Sequence, residues 1–327
     1  MKITVIGAGA WGTALARLLH QGGGNEVTLW GHIPEWLDEI RAAGRNERFL
    51  PGIELPRGLV LEAELRRAIA GAAALVVAVP SQAYREVTRH LADYSGLIAS
   101  VTKGIEYDSG LTMCGILAET APHANCAALS GPSFAIEVAR DIPTAIVAAS
   151  RNGTTATWMQ MLFNRPTFRV YTSSDPLGVE LGGAVKNVIA IAAGIGDGLG
   201  FGDNSKAALV TRATVEIRRL GVACGAQAET FTGLGGLGDL MVTCFSRHSR
   251  NRGFGERVGQ GEKPADVAAS MVAVAEGYPT ARSAYQLARR HGVVTPVIDE
   301  VYAMLYAGKN VGQAVRDLLA RDHKAED

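Results

Sequence analysis

Gly7-Ala8-Gly9-Ala10-Trp11-Gly12 has the spacing of a turn that cradles a dinucleotide. The pattern alone is weak, and Gly233-Leu234-Gly235-Gly236-Leu237-Gly238 matches it too. Only the first copy follows a strand-like run, Ile3–Ile6, and opens a helical one. In that context the first glycine permits the tight turn, the second lets backbone approach a pyrophosphate, and the third packs helix on strand. The helix start adds unbonded N–H groups for the phosphates. Gly7, Gly9 and Gly12 are therefore expected at the cofactor. Cofactor choice is read about 20 residues on, at the end of the second strand. Trp30-Gly31-His32 stands there, with no acid for an adenine-ribose 2′-hydroxyl. His32 either donates to a 2′-phosphate or is a solvated loop residue. The missing acid favours NADPH and leaves NADH open.

A ketone that takes up hydride becomes an alkoxide and needs a proton, and a positioned general acid is worth about 10²–10⁴-fold. Lys186 either suits that task by its neighbours or is an ordinary lysine at the edge of a helix. Gly182, Gly183, Ala190 and Ala193 share its side of a helix, so a ligand or another element can come close. Val185, Val188 and Ile189 form the stripe that docks the helix. Desolvation there lowers a lysine pKa, a nearby second cation would lower it further, and a nearby carboxylate would oppose both. Asp239 follows Gly238 and is placed to cap a helix. Thr243, one helical turn on, is placed to bond Asp239 or a ligand. A phosphate dianion calls for charge-assisted donors. Arg250 and Asn251 suit it, within a run, Arg247–Arg252, that otherwise reads as a solvated basic loop. Cys244 has no base at useful spacing and is rejected as a nucleophile. No HExxH or other ligand spacing occurs, and hydride transfer needs no metal, so none is expected.

The elements that must position these residues fall into two halves. Before residue 175, continuous apolar strands at Ile3–Ile6, Val27–Trp30, Leu75–Val79, Leu97–Thr102, Ala127–Leu129 and Ala145–Ala149 alternate with helical segments. The helices include Ala10–His20, one opened by Pro34, Glu62–Ala70 and Gln82–Ala92. That pattern predicts a mainly parallel sheet covered on both faces, a Rossmann-type α/β domain. After it, strand signals stop. Helical periodicity covers Asp175–Ile195, Lys206–Leu220, Ala265–Ala275, Thr280–His291, Ile298–Tyr306 and Val311–Ala320. A division into residues 1–178 (dinucleotide) and 179–327 (all-α, substrate and catalysis) follows, with a charged, frayed tail after Leu319.

The 327 residues fit about two domains. Hydrophobic residues at 47% and charged residues at 20% exclude a disordered chain. Lys plus Arg and Asp plus Glu are 32 each, which argues against nucleic acid as the main partner. Cys114, Cys126, Cys224 and Cys244 form no CxxC pair and read as free, buried thiols in a reducing compartment. No apolar run approaches the ~18 residues of a membrane span. The chain starts directly on a strand with no secretory pattern. A soluble, cytoplasmic protein is expected.

Five segments resemble the bacterial type of NAD(P)-dependent glycerol-3-phosphate dehydrogenase: Gly7–Ala14 (GAGAWGTA), Val101–Glu106 (VTKGIE), Ser130–Glu137 (SGPSFAIE), Gly182–Ala190 (GGAVKNVIA) and Gly233–Cys244 (GLGGLGDLMVTC). Ser249-Arg250-Asn251-Arg252 and Glu276-Gly277 follow in the family's order. The resemblance runs from residue 3 to about 310. It implies interconversion of dihydroxyacetone phosphate and sn-glycerol 3-phosphate in a cleft between the two domains, for phospholipid synthesis, by a homodimer. Lys186 falls on the family's catalytic lysine. Lys103, Gly131, Ser133, Asn187, Asp239, Ser249, Arg250 and Asn251 fall in its substrate-contact segments. Ala10, Trp11, His32, Lys103, Ala135, Arg250, Val274 and Glu276 fall on cofactor contacts. Ala10 replaces a frequent serine and His32 a frequent arginine, which leaves the strength of NADP preference open. A related reductase of a small hydroxyacid or keto acid would need a similar arginine clamp, so fold alone does not decide. A nucleotide sensor without catalysis would not need Lys103, Lys186 and Asp239 together.

Overall fold

The computed structural model describes residues 1–321, and the charged tail expected to fray lies, from residue 322 on, outside the described residues. Eight strands build one sheet. They are β1 (Lys2–Ile6), β2 (Glu26–Trp30), β3 (Val60–Glu62), β4 (Ala74–Val77), β5 (Leu97–Ser100), β6 (Asn125–Ser130), β7 (Thr144–Ala149) and β8 (Phe168–Ser173). Their order is β3-β2-β1-β4-β5-β6-β7-β8. All neighbours are parallel except β6 and β7. The helices between them are α1 (Ala10–Gln21), α2 (Pro34–Ala43), α3 (Leu65–Ile69), α4 (Tyr84–Thr88), α5 (Met113–Thr120), α6 (Ala135–Ala139) and α7 (Gly153–Phe163). Strand order reverses between β1 and β4, and such a switch point opens a crevice at the carboxyl ends of the strands. The glycine turn leaves the carboxyl end of β1 there.

Both sheet faces are covered, which is why these strands read as continuous apolar runs. Ile3, Val5 and Leu29 pack with Leu15 and Leu19 of α1 on one face. Ile6, Leu75, Val77 and Ile98 pack with Tyr84, Met113 and Ile116 on the other.

The second half is helical: α8 (Pro176–Gly198), α9 (Asp203–Ala223), α10 (Asp239–Phe245), α11 (Arg250–Gly259), α12 (Pro264–Ser270), α13 (Gly277–Arg290), α14 (Pro296–Tyr306) and α15 (Val311–Leu319). Helix α8 is long and apolar enough to cross a bilayer, but 94% of that stretch is buried, as befits a core helix. Val185, Val188 and Ile189 are essentially inaccessible. Each contributes about 1.5–3 kcal/mol by burial. Asp175 starts α8 by accepting from Gly178 N at 2.9 Å. Helices α8 and α11 cross almost backbone to backbone. A Cβ on Gly194 would lie 1.9 Å from Arg252 O, and one on Gly255 2.0 Å from Ile191 O. This crossing holds Arg250 and Asn251 in register with Lys186. The expected division at residues 178 and 179 falls inside the first turn of α8.

Several local expectations need correction. Glu62–Ala70 is not one helix: Glu62 ends β3, and Glu64 then caps α3 (Leu65–Ile69) by accepting from Arg66 N and Arg67 N. The Gln82–Ala92 segment is a short α-turn between two 3₁₀ turns. Helix α12 stops at Ser270, so 271–276 is a loop rather than helix. Strand β8 and helices α5, α6, α7 and α11 were not anticipated.

Candidate active site

The glycine turn fits a dinucleotide on steric grounds. Gly7 has φ +121°, and a Cβ there would lie 2.8 Å from Ala78 O. A Cβ on Gly12 would lie 1.9 Å from Gly7 O. Gly9 is different: a Cβ there meets nothing within 4 Å, so the turn faces open space where a pyrophosphate can approach. Helix α1 has no side-chain cap, leaving its first N–H groups available. Ala10 and Trp11 begin α1, and Ala135 begins α6, which packs beside Trp11 over Leu50 and Ile53. Buried Asn46 fixes the turn by donating to Ala8 O at 2.9 Å and Thr13 Oγ1 at 2.8 Å.

His32 is exposed at the rim, its ring 6.3 Å from those of Trp30 and Trp36. Arg48 lies over Trp36, 4.5 Å from the ring centroid, and adds a cation to this rim. No motif marked Asn46 or Arg48 in the sequence. Strand β3 also pairs Glu62 with Trp30, which brings a carboxylate beside the end of β2 from a neighbouring strand.

The lysine site sits at the same edge of the sheet. The Lys103 loop follows β5, Gly131 follows β6, and the glycine turn follows β1. Asp239 accepts from Lys186 Nζ at 2.7 Å and from Lys103 Nζ at 2.5 Å. The Asp239 and Lys186 side chains are 2% and 8% exposed, and that of Lys103 is 20% exposed. Lys186 also donates to Thr243 Oγ1 at 2.6 Å, whose hydroxyl donates on to Asp239 O at 2.6 Å. Burial is the main cause that brings the Lys186 ammonium down to about 8, with Asp239 opposing and Lys103 assisting. An acid titrating near neutrality can give up and recover a proton. The helix cap expected of Asp239 is a correction: Gly238 stands at that position, and the Asp239 carboxylate is spent on the two lysines.

Lys103 Nζ reaches Gly131 O at 3.2 Å, and Ser133 Oγ donates to the same carbonyl at 2.9 Å. Gly131 has φ +145° and a Cβ there would press on Ile146 Cα, so the close approach needs glycine. Phe134 and His248 rings meet at 5.8 Å, which sets the Ser133 loop against the basic segment. Arg250 is exposed, and its side chain makes no hydrogen bond or ion pair with any described residue. Surrounding protein mass lowers its guanidinium from its usual range, and the Glu276 charge opposes this. That combination is the signature of a cleft wall. Arg250 also lines an open cavity of about 270 Å³ with Arg247, His248 and Arg257.

Other candidates are occupied within the protein. Ser249 caps α11 by accepting from Arg252 N at 3.1 Å. Asn251, the expected phosphate donor, donates one N–H to Asn187 Oδ1 at 2.8 Å and accepts from Gly277 N at 2.8 Å. Asn187 and Asn251 thus clip α8, α11 and α13 together. Glu276 accepts from Ser81 N at 3.1 Å and Ser81 Oγ at 2.6 Å, bridging from the helical half to the end of β4. Ser81 was missed; its signal was its place just after a strand's carboxyl end. Val274 is 43% exposed on the 271–276 loop. The second glycine motif forms a π-helical turn against α8, where a Cβ on Gly182 would lie 2.6 Å from Gly235 O. It serves packing. Burial pushes the Cys244 thiol up to about 12, far from a nucleophile's range. The four cysteines are free, and only Cys244 is fully buried. Among the described residues, no three His, Cys, Asp or Glu side chains gather as for a metal.

A family model for the N-terminus of NAD-dependent glycerol-3-phosphate dehydrogenase matches residues 2–156, and one for its C-terminus matches residues 175–316. The glycerol-3-phosphate dehydrogenase [NAD(P)+] of Geobacter sulfurreducens is 50% identical over 331 residues, covering 99% of this chain and 98% of that one. That of Chlorobium limicola is 47% identical, covering 100% and 99%. The crystal structure of glycerol-3-phosphate dehydrogenase from Coxiella burnetii superposes with a TM-score of 0.94 at 37% identity, covering 98% and 99% of the two chains. A ketopantoate reductase from Ralstonia eutropha gives 0.60 at 15% identity, a likeness of fold alone. The chain belongs to the NAD-dependent glycerol-3-phosphate dehydrogenase family.

Proposed function

We propose that this chain interconverts dihydroxyacetone phosphate and sn-glycerol 3-phosphate with NADPH or NADH. The observation that carries this reading is a buried ammonium, Lys186, held by Asp239 and Thr243 at the sheet edge that also bears the glycine turn. Bound at that turn, the reduced nicotinamide supplies hydride. Lys186 Nζ holds a proton for the oxygen that the hydride leaves as alkoxide, and recovers it in the reverse direction. Asp239 aims that ammonium and keeps its pKa from falling too far. Lys103, on the other carboxylate oxygen, keeps it from rising. Lys103 and the ammonium of Lys186 also offer charge to the developing alkoxide in a site that water reaches poorly. Arg250 supplies an unengaged guanidinium for the phosphate. Asn187, Ser249 and Asn251 set the angle of α11 and hence the reach of Arg250. Gly131 and Ser133 form the opposite wall.

His32 offers a ring N–H and Arg48 a cation to a 2′-phosphate, and this supports NADPH as the preferred cofactor. A cytoplasmic setting, assembly as a homodimer and supply of glycerophospholipid synthesis belong to the same reading. The test is reduced-nicotinamide absorbance with NADPH and NADH against a panel of small ketones and keto acids. Dihydroxyacetone phosphate should be turned over far faster than unphosphorylated dihydroxyacetone or any keto acid. Preference for a keto acid would overturn the reading.

A further inference from the structure

We propose that Glu180 is a positioning residue for this reaction, tying the helix that carries Lys186 to the loop that carries Lys103. Glu180 lies on α8, under two turns ahead of Lys186. Its Oε1 accepts from Cys114 N at 2.8 Å, in the first turn of α5. Thr112 precedes α5 but supplies no side-chain cap, so a carboxylate from another helix takes that place. Thr112 in turn bridges Ile105, and Glu106 N bonds Leu111 O at 2.9 Å. Residues 105–112 therefore form a closed loop that begins two residues after Lys103 and whose far end Glu180 holds. One side chain thus sets two lysines against each other, and both lysines converge on Asp239.

Glu180 is expensive where it stands. It is 6% exposed, and Oε2 is buried with no hydrogen-bond partner among the described residues. Tyr84 of α4, Cys114 of α5 and Cys126 of β6 face it, along with Thr112. Burial pushes its carboxyl up to about 7. An apolar side chain of that size would cost less in such a seam. What it would not do is hold the Cys114 amide, and with it the Lys103 loop.

The inference rests on the dehydrogenase reading and is tested on the whole enzyme with Glu180→Leu, which fills the space without an acceptor, and Glu180→Gln, which keeps one. Glu180→Met replaces Leu if that variant fails to fold. In Glu180→Leu, kcat should fall about 10-fold, as for a small misplacement of a reacting group. The alkaline limb of the kcat–pH profile for ketone reduction should rise, because a retreating Lys103 lowers the Lys186 pKa less. NADPH affinity should stay within about twofold, since the glycine turn is untouched. Glu180→Gln should restore both kcat and the limb. An unchanged kcat and limb in Glu180→Leu overturns the inference. So does a loss with the limb unmoved, or a Glu180→Gln as impaired as Glu180→Leu. A wild type inactive on dihydroxyacetone phosphate defeats the functional reading instead.

Discussion

Replacing Asp239 by Asn keeps its shape and removes the one negative charge between two ammonium groups, 2.5 and 2.7 Å away. An opposite charge at such range moves a pKa by about one to three units. Lys186, already brought down to about 8, loses the main influence that holds it up. The alkaline limb of ketone reduction should therefore move down by at least about one pH unit. At pH 8 half of the wild-type lysine carries its proton. A drop of one to two pH units leaves about 9% to 1%, so the rate at pH 8 falls roughly 5- to 50-fold. At pH 6 the same cause removes no more than about half the activity. Stability changes in the opposite sense. An unpaired buried cation costs about 3–5 kcal/mol, but Lys186 escapes that cost by deprotonating. The variant should therefore be more destabilised at pH 6 than at pH 8. Single-turnover NADPH oxidation across pH 6–9, with urea denaturation at both ends, reads both effects. An equal loss of rate at pH 6 and pH 8 would refute the electrostatic role of Asp239.

Gly9→Ala should fold with an unchanged Tm, because the new methyl meets no protein atom, yet bind NADPH at least about 10-fold more weakly by fluorescence titration, because that space belongs to the pyrophosphate. Arg250→Ala should raise the KM for dihydroxyacetone phosphate by about 10²-fold, the worth of a lost charge-assisted pair, and barely change that for dihydroxyacetone; equal effects on both remove Arg250 from the phosphate site. Glu216, 5% exposed on α9, accepts from Val297 N and Ile298 N at the start of α14, and burial pushes it up to about 7. A carboxyl raised above its unfolded value stabilises fully below that value and loses the contribution as pH climbs to its folded pKa. Between pH 5 and pH 8 the wild type should lose about 2–3 kcal/mol relative to Glu216→Gln in urea denaturation, and a difference independent of pH would show that Glu216 titrates like an exposed acid.

The sheet and the helical half were legible because their patterns are strong. Strands buried on both faces leave apolar runs such as Leu75–Val77, and the abrupt end of such runs near residue 175 marks the change to helices. Strand β8 escaped because it is an edge strand: Phe168 and Val170 face in while Arg169 and Tyr171 face out, an alternation unlike the continuous runs around it. Helix α7 begins Gly153-Thr154-Thr155, poor helix formers, and its one clear signal was the Asn152 cap. The reversed direction of β7 leaves no mark in Thr144–Ala149.

In the site, the small-residue face of α8 pointed to Lys186, since Gly182 and Gly183 allow the glycine turn at Gly235 and the Lys103 side chain to come close. The pairing of Lys103, Lys186 and Asp239 joins three distant segments, and spacing alone cannot show it. The resemblance supplied it. Asn251 is ambiguous in the sequence because an asparagine beside an arginine reads the same whether it donates to a ligand or clips helices together, and its two amide N–H groups allow both.

The central claim is that the Lys186 ammonium provides the proton, and Lys186→Ala tests it most directly. With NADPH already bound, and its affinity verified by fluorescence, a single turnover of dihydroxyacetone phosphate followed by stopped flow should slow by at least ~100-fold. Hydride transfer at a near-normal rate in that folded, cofactor-bound variant would contradict the account.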